Sequence, residues 1–315
     1  MDIHNALQPV ELVVAGERLR GFSISGLATW LELPELNLCF DMGECPVSAV
    51  PLDHIFLTHG HGDHSRCLLR HHALRKMLGI EKAASYYLPA QLVPAAERWV
   101  RASAGFENPR LRTPTIPTLI PLEGGMEPLR LTHRTNLSVT AFPVEHGVPS
   151  LGYTISDARK KLRPEFRGLS GTEIVRLKKS GVTVDALHHE PRVTFIGDCT
   201  GRTLRREAHI WESPVVVIEC TFIAPGEEQL ARSRGHTHLN DIVRALREGG
   251  DEIKSEAIVL KHFSMKIKAR EAFDAVAEAI PPRFRERVSL LLPPLEAEPP
   301  RENERGASPQ QGMVS

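Results

Sequence analysis

The chain has 315 residues, enough for one large α/β domain or two small ones with a substantial buried core. Its 39 basic and 39 acidic side chains cancel, so no overall basic field draws in nucleic acid, and a nucleic-acid substrate needs a local patch. The opening MDIHNALQPV lacks a charged stretch followed by an apolar one, and no apolar run approaches about 18 residues, so export and membrane spanning are not indicated and a cytoplasmic location is expected.

In chain order, ELVVAGERLRGFSISG and LATWLELPELNLCFDMG show β-type residues broken by Gly and Pro turn signals, which predicts an early sheet. HIFLT is a short apolar strand running straight into a histidine cluster. SRCLLRHHALRKMLG then carries apolar residues at helical spacing, so the cluster sits on a strand-to-helix loop. YYLP, a helix in QLVPAAERWVRASAG, a Pro-rich connector and further strands in LRLTHRTNLSVTAFPVEH follow. GTEIVRLKKSG reads as a short helix capped by Gly181. Thereafter VTFIGDC, VVVIECTF, AIVLKHF and VSLLLP read as strands, with helices in LNDIVRALREGG and KAREAFDAVAEAI, a βαβ-rich pattern. Residues 1–293 are expected to form one domain. The polar, Pro-rich stretch 294–315 buries too little apolar surface to order itself and is expected to be a disordered tail.

The five cysteines, Cys39, Cys45, Cys67, Cys199 and Cys220, are odd in number and without CxxC spacing, which argues against a disulfide framework and against a thiolate zinc site. The 15 histidines point to metal chemistry instead. In His59-Gly60-His61-Gly62-Asp63-His64 the first two imidazoles are two residues apart, so an extended backbone turns them to the same side, where they can share an ion. Asp63 and His64 fall where the chain turns into the next helix, offset from that pair and able to hold a second ion. A dinuclear site needs further donors at the ends of later strands, and His146, Asp198 and His262 each stand just past a run of β residues. His71, His72, His188, His189, His4, His54, His133 and His209 read as solvated or structural, with His54 the one near enough to support the site from behind.

The ordered motifs His59-x-His61-x-Asp63-His64, VEHGVPSLGYTI, FIGDC, VIECTF, RGHTHLNDI and VLKHFS, over roughly residues 10 to 290, resemble those of the ribonuclease Z branch of the metallo-β-lactamase superfamily. That resemblance implies an α/β fold, the four-layer αβ/βα sandwich, with metals at one sheet edge and a homodimer as the assembly. It implies a zinc held by His59, His61 and His146, another by Asp63, His64 and His262, and Asp198 bridging them, with Mn²⁺ or Fe²⁺ as alternatives. It implies an endonuclease of tRNA processing, a phosphodiesterase working through a metal-bridging hydroxide that Asp63 orients, with His236 and Glu219 as the pair that protonates the leaving oxygen. His238 competes with His236 for that role.

Two family features have no match. At the place of a Gly/Ser/Thr turn followed by Arg-Asn the chain has SISGLATWLELPEL, and at the place of a Gly/Pro-rich arm that grips tRNA it has the segment between Tyr153 and Val193. That segment carries Arg159, Lys160, Lys161, Arg163, Arg167, Arg176, Lys178 and Lys179, either a short substitute for the arm or a solvated charged face. The expected function is therefore cleavage of a phosphodiester, in a tRNA 3′ end or a smaller molecule. The alternatives are hydrolysis of a thioester or lactone and a metal-bound scaffold without turnover.

Overall fold

The computed structural model describes residues 8–108, 110, 115–132 and 134–295. The chain begins with β1 (Val10–Val14), β2 (Glu17–Ser25), β3 (Ala28–Leu33), β4 (Leu38–Phe40) and β5 (His54–Phe56). The short α1 (Gly62–Ser65) and α2 (Leu68–Met77) lead to β6 (Ser85–Pro89), and α3 (Val93–Glu107) leads to β7 (Thr118–Leu122). Then come β8 (Leu129–Leu131), β9 (Arg134–Pro143), β10 (Leu151–Leu162), α4 (Gly171–Lys179) and β11 (Asp185–Phe195). The last part runs α5 (Gly201–Arg206), β12 (Val215–Glu219), α6 (Glu228–Ser233), α7 (Leu239–Gly249), β13 (Ala257–Lys261), β14 (Phe263–Ser264), α8 (Ala269–Ala279) and β15 (Val288–Leu290).

These strands make two mixed sheets. One has the order β1-β2-β3-β4-β5-β6-β7 with β14 added on β2, the other β15-β13-β12-β11-β10-β9-β8. Side-chain alternation explains why they stack. On β12, Val215 and Val217 join the apolar layer between the sheets, while Val216 and Ile218 pack with Ile242 and Leu246 of α7 on the outer side. Strand β13 divides the same way, Val259 inward and Ile258 and Leu260 outward. Phe40 of the first sheet stacks on Phe195 of the second with ring centroids 4.5 Å apart. The sequence expectation of a four-layer α/β sandwich is met, since both strand faces are buried and helices cover the outer ones.

All five cysteines are free. The tail expected over 294–315, beyond its first two residues, and His4 and His133 lie outside the described residues. The segment between Tyr153 and Val193 is not a loop: β10 and β11 pair antiparallel from Tyr153↔Phe195 out to Leu162↔Asp185, a long hairpin with α4 at its tip. His188 and His189 therefore lie on β11.

Candidate active site

Strands β11, β12 and β13 run parallel, β9 runs the same way because β10 is antiparallel to both β9 and β11, and β5 is parallel to β4 and β6. Side chains that follow the carboxyl ends of such strands collect at one edge. His59 follows β5, His146 follows β9, Asp198 follows β11, Glu219 ends β12 and His262 directly follows β13. His262 is also where the chain crosses between sheets. Its N–H donates to Ser23 O at 3.0 Å, its φ is +64°, and the next residues pair with β2 as β14. A histidine in the left-handed region is uncommon and is held there by that crossing. Two glycines let the pieces close up. A Cβ at Gly43 would fall 1.8 Å from Asp63 O, and one at Gly197 would fall 2.6 Å from Thr58, so α1 and the end of β11 could not approach with any side chain there.

The ring nitrogens His59 Nε2 and His61 Nδ1 lie 3.1 Å apart, and His146 Nε2 is 3.4 Å from His61 Nδ1. His64 Nε2 and His262 Nε2 lie 3.2 Å apart, with Asp63 Oδ2 at 3.8 and 3.7 Å from them. Asp198 stands between the two groups, its Oδ2 at 3.7 Å from His59 Nε2 and 3.4 Å from His64 Nε2. Donor atoms of His59, His61, His146 and Asp198 lie within 4.8 Å of one another, as do those of Asp63, His64 and His262. The structure thus brings together all seven metal-type residues singled out in the sequence.

The outer hydrogen bonds decide which nitrogen of each ring faces inward. A carbonyl only accepts, so His146 Nδ1–H donates to Gly235 O at 2.9 Å and Nε2 keeps its lone pair. His64 Nδ1–H donates to Asp41 at 2.8 Å. Thr58 spends its hydroxyl proton on Asp41, at 2.9 Å, and so accepts from His59 Nδ1 at 3.0 Å. Thr221 spends its proton on Glu219 Oε2, at 2.7 Å, and so accepts from His262 Nδ1 at 3.0 Å. Each of these rings turns its Nε2 to the centre, the atom through which a neutral histidine binds a cation. Asp41, Thr58 and Thr221 were not singled out in the sequence. The signal for Asp41 was an Asp closing the apolar strand before MG, and the other two are neighbours of His59 and Glu219.

Electrostatics agree. Burial and adjacent imidazoles push His59 and His61 below the usual histidine range, and burial pushes His262 down despite Asp198, so these rings are neutral. Burial acts against a charged His64 as well, but the Asp198 and Asp41 carboxylates outweigh it and hold His64 up at about 10. A cation held by His64 and Asp198 would take the place of that proton. Asp198 Oδ1 is buried and receives no hydrogen bond from the described residues, an arrangement that costs free energy unless a cation meets it. Converging ring nitrogens beside an orphaned carboxylate oxygen fit metal binding.

Beside this centre lies the second pair. Glu219 is fully buried, and its carboxylate accepts from Cys199 N, Thr237 N and His236 Nδ1 on one oxygen, at 3.1, 3.0 and 3.0 Å, and from Thr221 on the other. Burial would lower the His236 pKa, yet Glu219 and then Asp198 raise it to about 9. The His236 ring lies with its centroid 5.6 Å from both His146 and His262, between the two metal-type groups.

Comparison with known proteins bears on this geometry. Residues 40–263 match the family described as the Beta-lactamase superfamily domain. Over 88% of this chain and 96% of the relative, the sequence is 32% identical to tRNase Z TRZ1 of Arabidopsis thaliana. The chain belongs to the tRNase Z family. It is also 30% identical to the chloroplastic tRNase Z TRZ2 of the same plant, over 88% of this chain and 74% of that protein. Among solved structures, the metallo-β-lactamase fold protein YhfI of Bacillus subtilis superposes with a TM-score of 0.51 at 14% identity, covering 90% of this chain and 91% of that one, which speaks to the fold alone. As a member of the tRNase Z family, the chain is a hydrolase.

Other histidines of this tRNase Z family chain stay out of the centre. His238 caps α7, its Nδ1 accepting from Asn240 N at 3.0 Å and its Nε2–H donating to Ala224 O at 2.9 Å, so both ring nitrogens are committed to structure. His54 bonds the Tyr87 hydroxyl at 3.1 Å, His71 bonds Tyr86 and Ala49 O, His189 bonds Ser138, and His209 packs edge-on against Phe142. On the β10–β11 hairpin, Arg159 and Lys161 pair with Glu190, and Lys178 pairs with Asp185 at 2.8 Å. Lys160, Arg167, Arg176 and Lys179 are exposed and enter none of these pairs. No helix among the described residues is long and apolar enough to cross a membrane.

Proposed function

We propose that this chain is a dinuclear, zinc-dependent phosphodiesterase of the ribonuclease Z type that cleaves RNA at the 3′ end of tRNA precursors. The observation that carries the reading is the convergence of five imidazoles and two carboxylates at one sheet edge with the His236–Glu219 pair beside them. His59, His61 and His146 would hold one ion, Asp63, His64 and His262 the other, and Asp198 both. Two such cations supply Lewis acidity, lowering the pKa of water toward neutrality and neutralising charge that builds on the phosphoryl oxygens.

The chain's own residues do the rest. Asp63 Oδ2 accepts from Gly26 N–H at 2.8 Å, which fixes the carboxylate beside the His64 and His262 ring nitrogens, where it would orient the attacking water. His236, anchored through Nδ1, carries on Nε2 the proton that the leaving ribose oxygen needs. Glu219, saturated with hydrogen bonds, holds that imidazolium in place and stabilises its charge. Thioester hydrolysis gives this acid less to do, because a thiolate departs readily without a proton. The exposed Lys160, Arg167, Arg176 and Lys179 at the hairpin tip offer the phosphate contacts that a balanced net charge otherwise denies.

Zinc titration coupled to hydrolysis of bis(p-nitrophenyl) phosphate tests the reading. Activity that saturates at about two ions per chain and disappears in His64→Ala supports it, and a zinc-loaded protein that leaves the diester intact contradicts it.

A further inference from the structure

A cleft of about 440 Å³ opens directly behind the metal-type loop and is not used by the chemistry above. His59 and Gly60 form one wall, and Leu57, Leu88, Leu92 and Trp99 are among its apolar lining. Leu92 lies over the loop itself, since a Cβ on Gly60 would touch its Cδ1 at 3.5 Å. Trp99 is only partly buried, so one part of the indole is packed and another is offered to the cleft. Arg66 lines the same cleft, and it is exposed. Seven residues further along α3, two helical turns and hence on the same face as Trp99, Phe106 is 91% exposed.

An apolar slot containing an indole, with a guanidinium among its lining residues and a second bare aromatic in line, matches a nucleotide. The base stacks on the aromatic ring and the adjoining phosphate meets the arginine. The volume lies within the ordinary range of small-ligand clefts. His59, Gly60 and Gly62 among its lining set the slot against the loop that carries the metal-type residues.

We propose that this cleft binds the unpaired base of a nucleotide flanking the scissile phosphate, stacked on Trp99, and that Phe106 receives the next unpaired base. The proposal rests on the phosphodiesterase reading and adds to it a base subsite that selects single-stranded RNA, because a base inside a duplex is already stacked on both faces. An aliphatic acyl chain is the competing occupant, and it has no use for Arg66.

The test uses a 3′-extended tRNA precursor and two versions of it, abasic at the nucleotide immediately 5′ or 3′ of the cut. With the wild-type protein, one abasic substrate should show KM raised about 5- to 150-fold, the value of one stacked base, with a smaller change in kcat. Trp99→Ala should raise KM for the parent substrate by a similar factor and lose sensitivity to that abasic replacement, while Trp99→Phe should recover most of both. Wild-type protein that cleaves the parent and accepts both abasic substrates equally well would overturn the subsite and leave the phosphodiesterase reading standing, whether or not Trp99→Ala folds. Failure to cleave any diester, with hydrolysis of a long-chain acyl thioester whose KM rises in Trp99→Ala, would overturn both.

Discussion

Asp41 Oδ2 stands 2.8 Å from His64 Nδ1, and both side chains are wholly buried. Asp41 has φ +57° and its other oxygen accepts from the Thr58 amide and hydroxyl, so one carboxylate orients His64 directly and His59 through Thr58. Asn tolerates that backbone region and keeps the Thr58 contacts, but its amide N–H opposes the His64 N–H. Asp41→Asn should therefore fold and bind zinc about 10- to 100-fold more weakly, read by chelator competition. Unchanged affinity would remove Asp41 from the account.

Proton donation by His236, as proposed, would leave a signature in the choice of leaving group. A ribose oxygen departs poorly without a proton, whereas p-nitrophenolate departs readily as an anion. His236→Ala and Glu219→Gln should each cut kcat on an RNA diester by about 10²- to 10⁴-fold and cost far less on bis(p-nitrophenyl) phosphate. Equal losses on both substrates would assign the pair to holding the site together.

His238 is two residues from His236 and serves a different end. Removing its ring strips the cap from Asn240 N–H and the donor from Ala224 O. His238→Ala should lower stability by about 1–2 kcal/mol in thermal denaturation with kcat unchanged, and His238→Asn should recover part of the loss through its side-chain cap. Collapse of kcat in a folded His238→Ala protein would reverse the two roles.

The residues that touch the centre were readable from the His59-x-His61-x-Asp63-His64 spacing and, for His146, Asp198 and His262, from their places just past apolar strands. Asp41 and Thr221 were not singled out, since their importance comes from which ring they face: Asp41 closes an apolar strand too, but nothing local tells that it meets His64. Strands β10 and β11 were missed beyond Asp157 for a different reason. Their outer residues, such as Lys160 and His188, face water on a projecting hairpin, so the apolar alternation that marks a half-buried strand is absent. The helix α4 at its tip was readable from GTEIVRLKKSG with Gly181, at φ +84°, as its stop, and the structure adds a capping box of Ser170 with Glu173 at its start. The cleft beside Gly60 was unreadable, because α3 supplies Leu92 and Trp99 as ordinary apolar positions of an amphipathic helix.

Acid should weaken the fold through His71. Burial, first, and the neighbouring Arg75 push its pKa to about 4, and its ring is fixed as the neutral form by donating to Ala49 O and accepting from the Tyr86 hydroxyl. The unfolded chain takes up this proton near 6.5 and the folded one near 4, so stability falls as pH drops through that window and is unaffected by His71 above it. At about 1.4 kcal/mol per pH unit the loss reaches about 3 kcal/mol. The melting temperature of His71→Gln should fall less steeply than that of the wild type between pH 6.5 and 4, and parallel curves would contradict the assignment.

The central claim is that this edge cuts the phosphodiester at the 3′ end of a tRNA precursor with metal ions held by the His and Asp cluster. The most direct measurement is cleavage of a 3′-extended precursor tRNA by the zinc-loaded protein, with the product ends mapped, beside a His64→Ala control. The account predicts a single cut at the start of the extension that is abolished in the control. An intact precursor after incubation with zinc-saturated protein, or equal cleavage by His64→Ala, would contradict it.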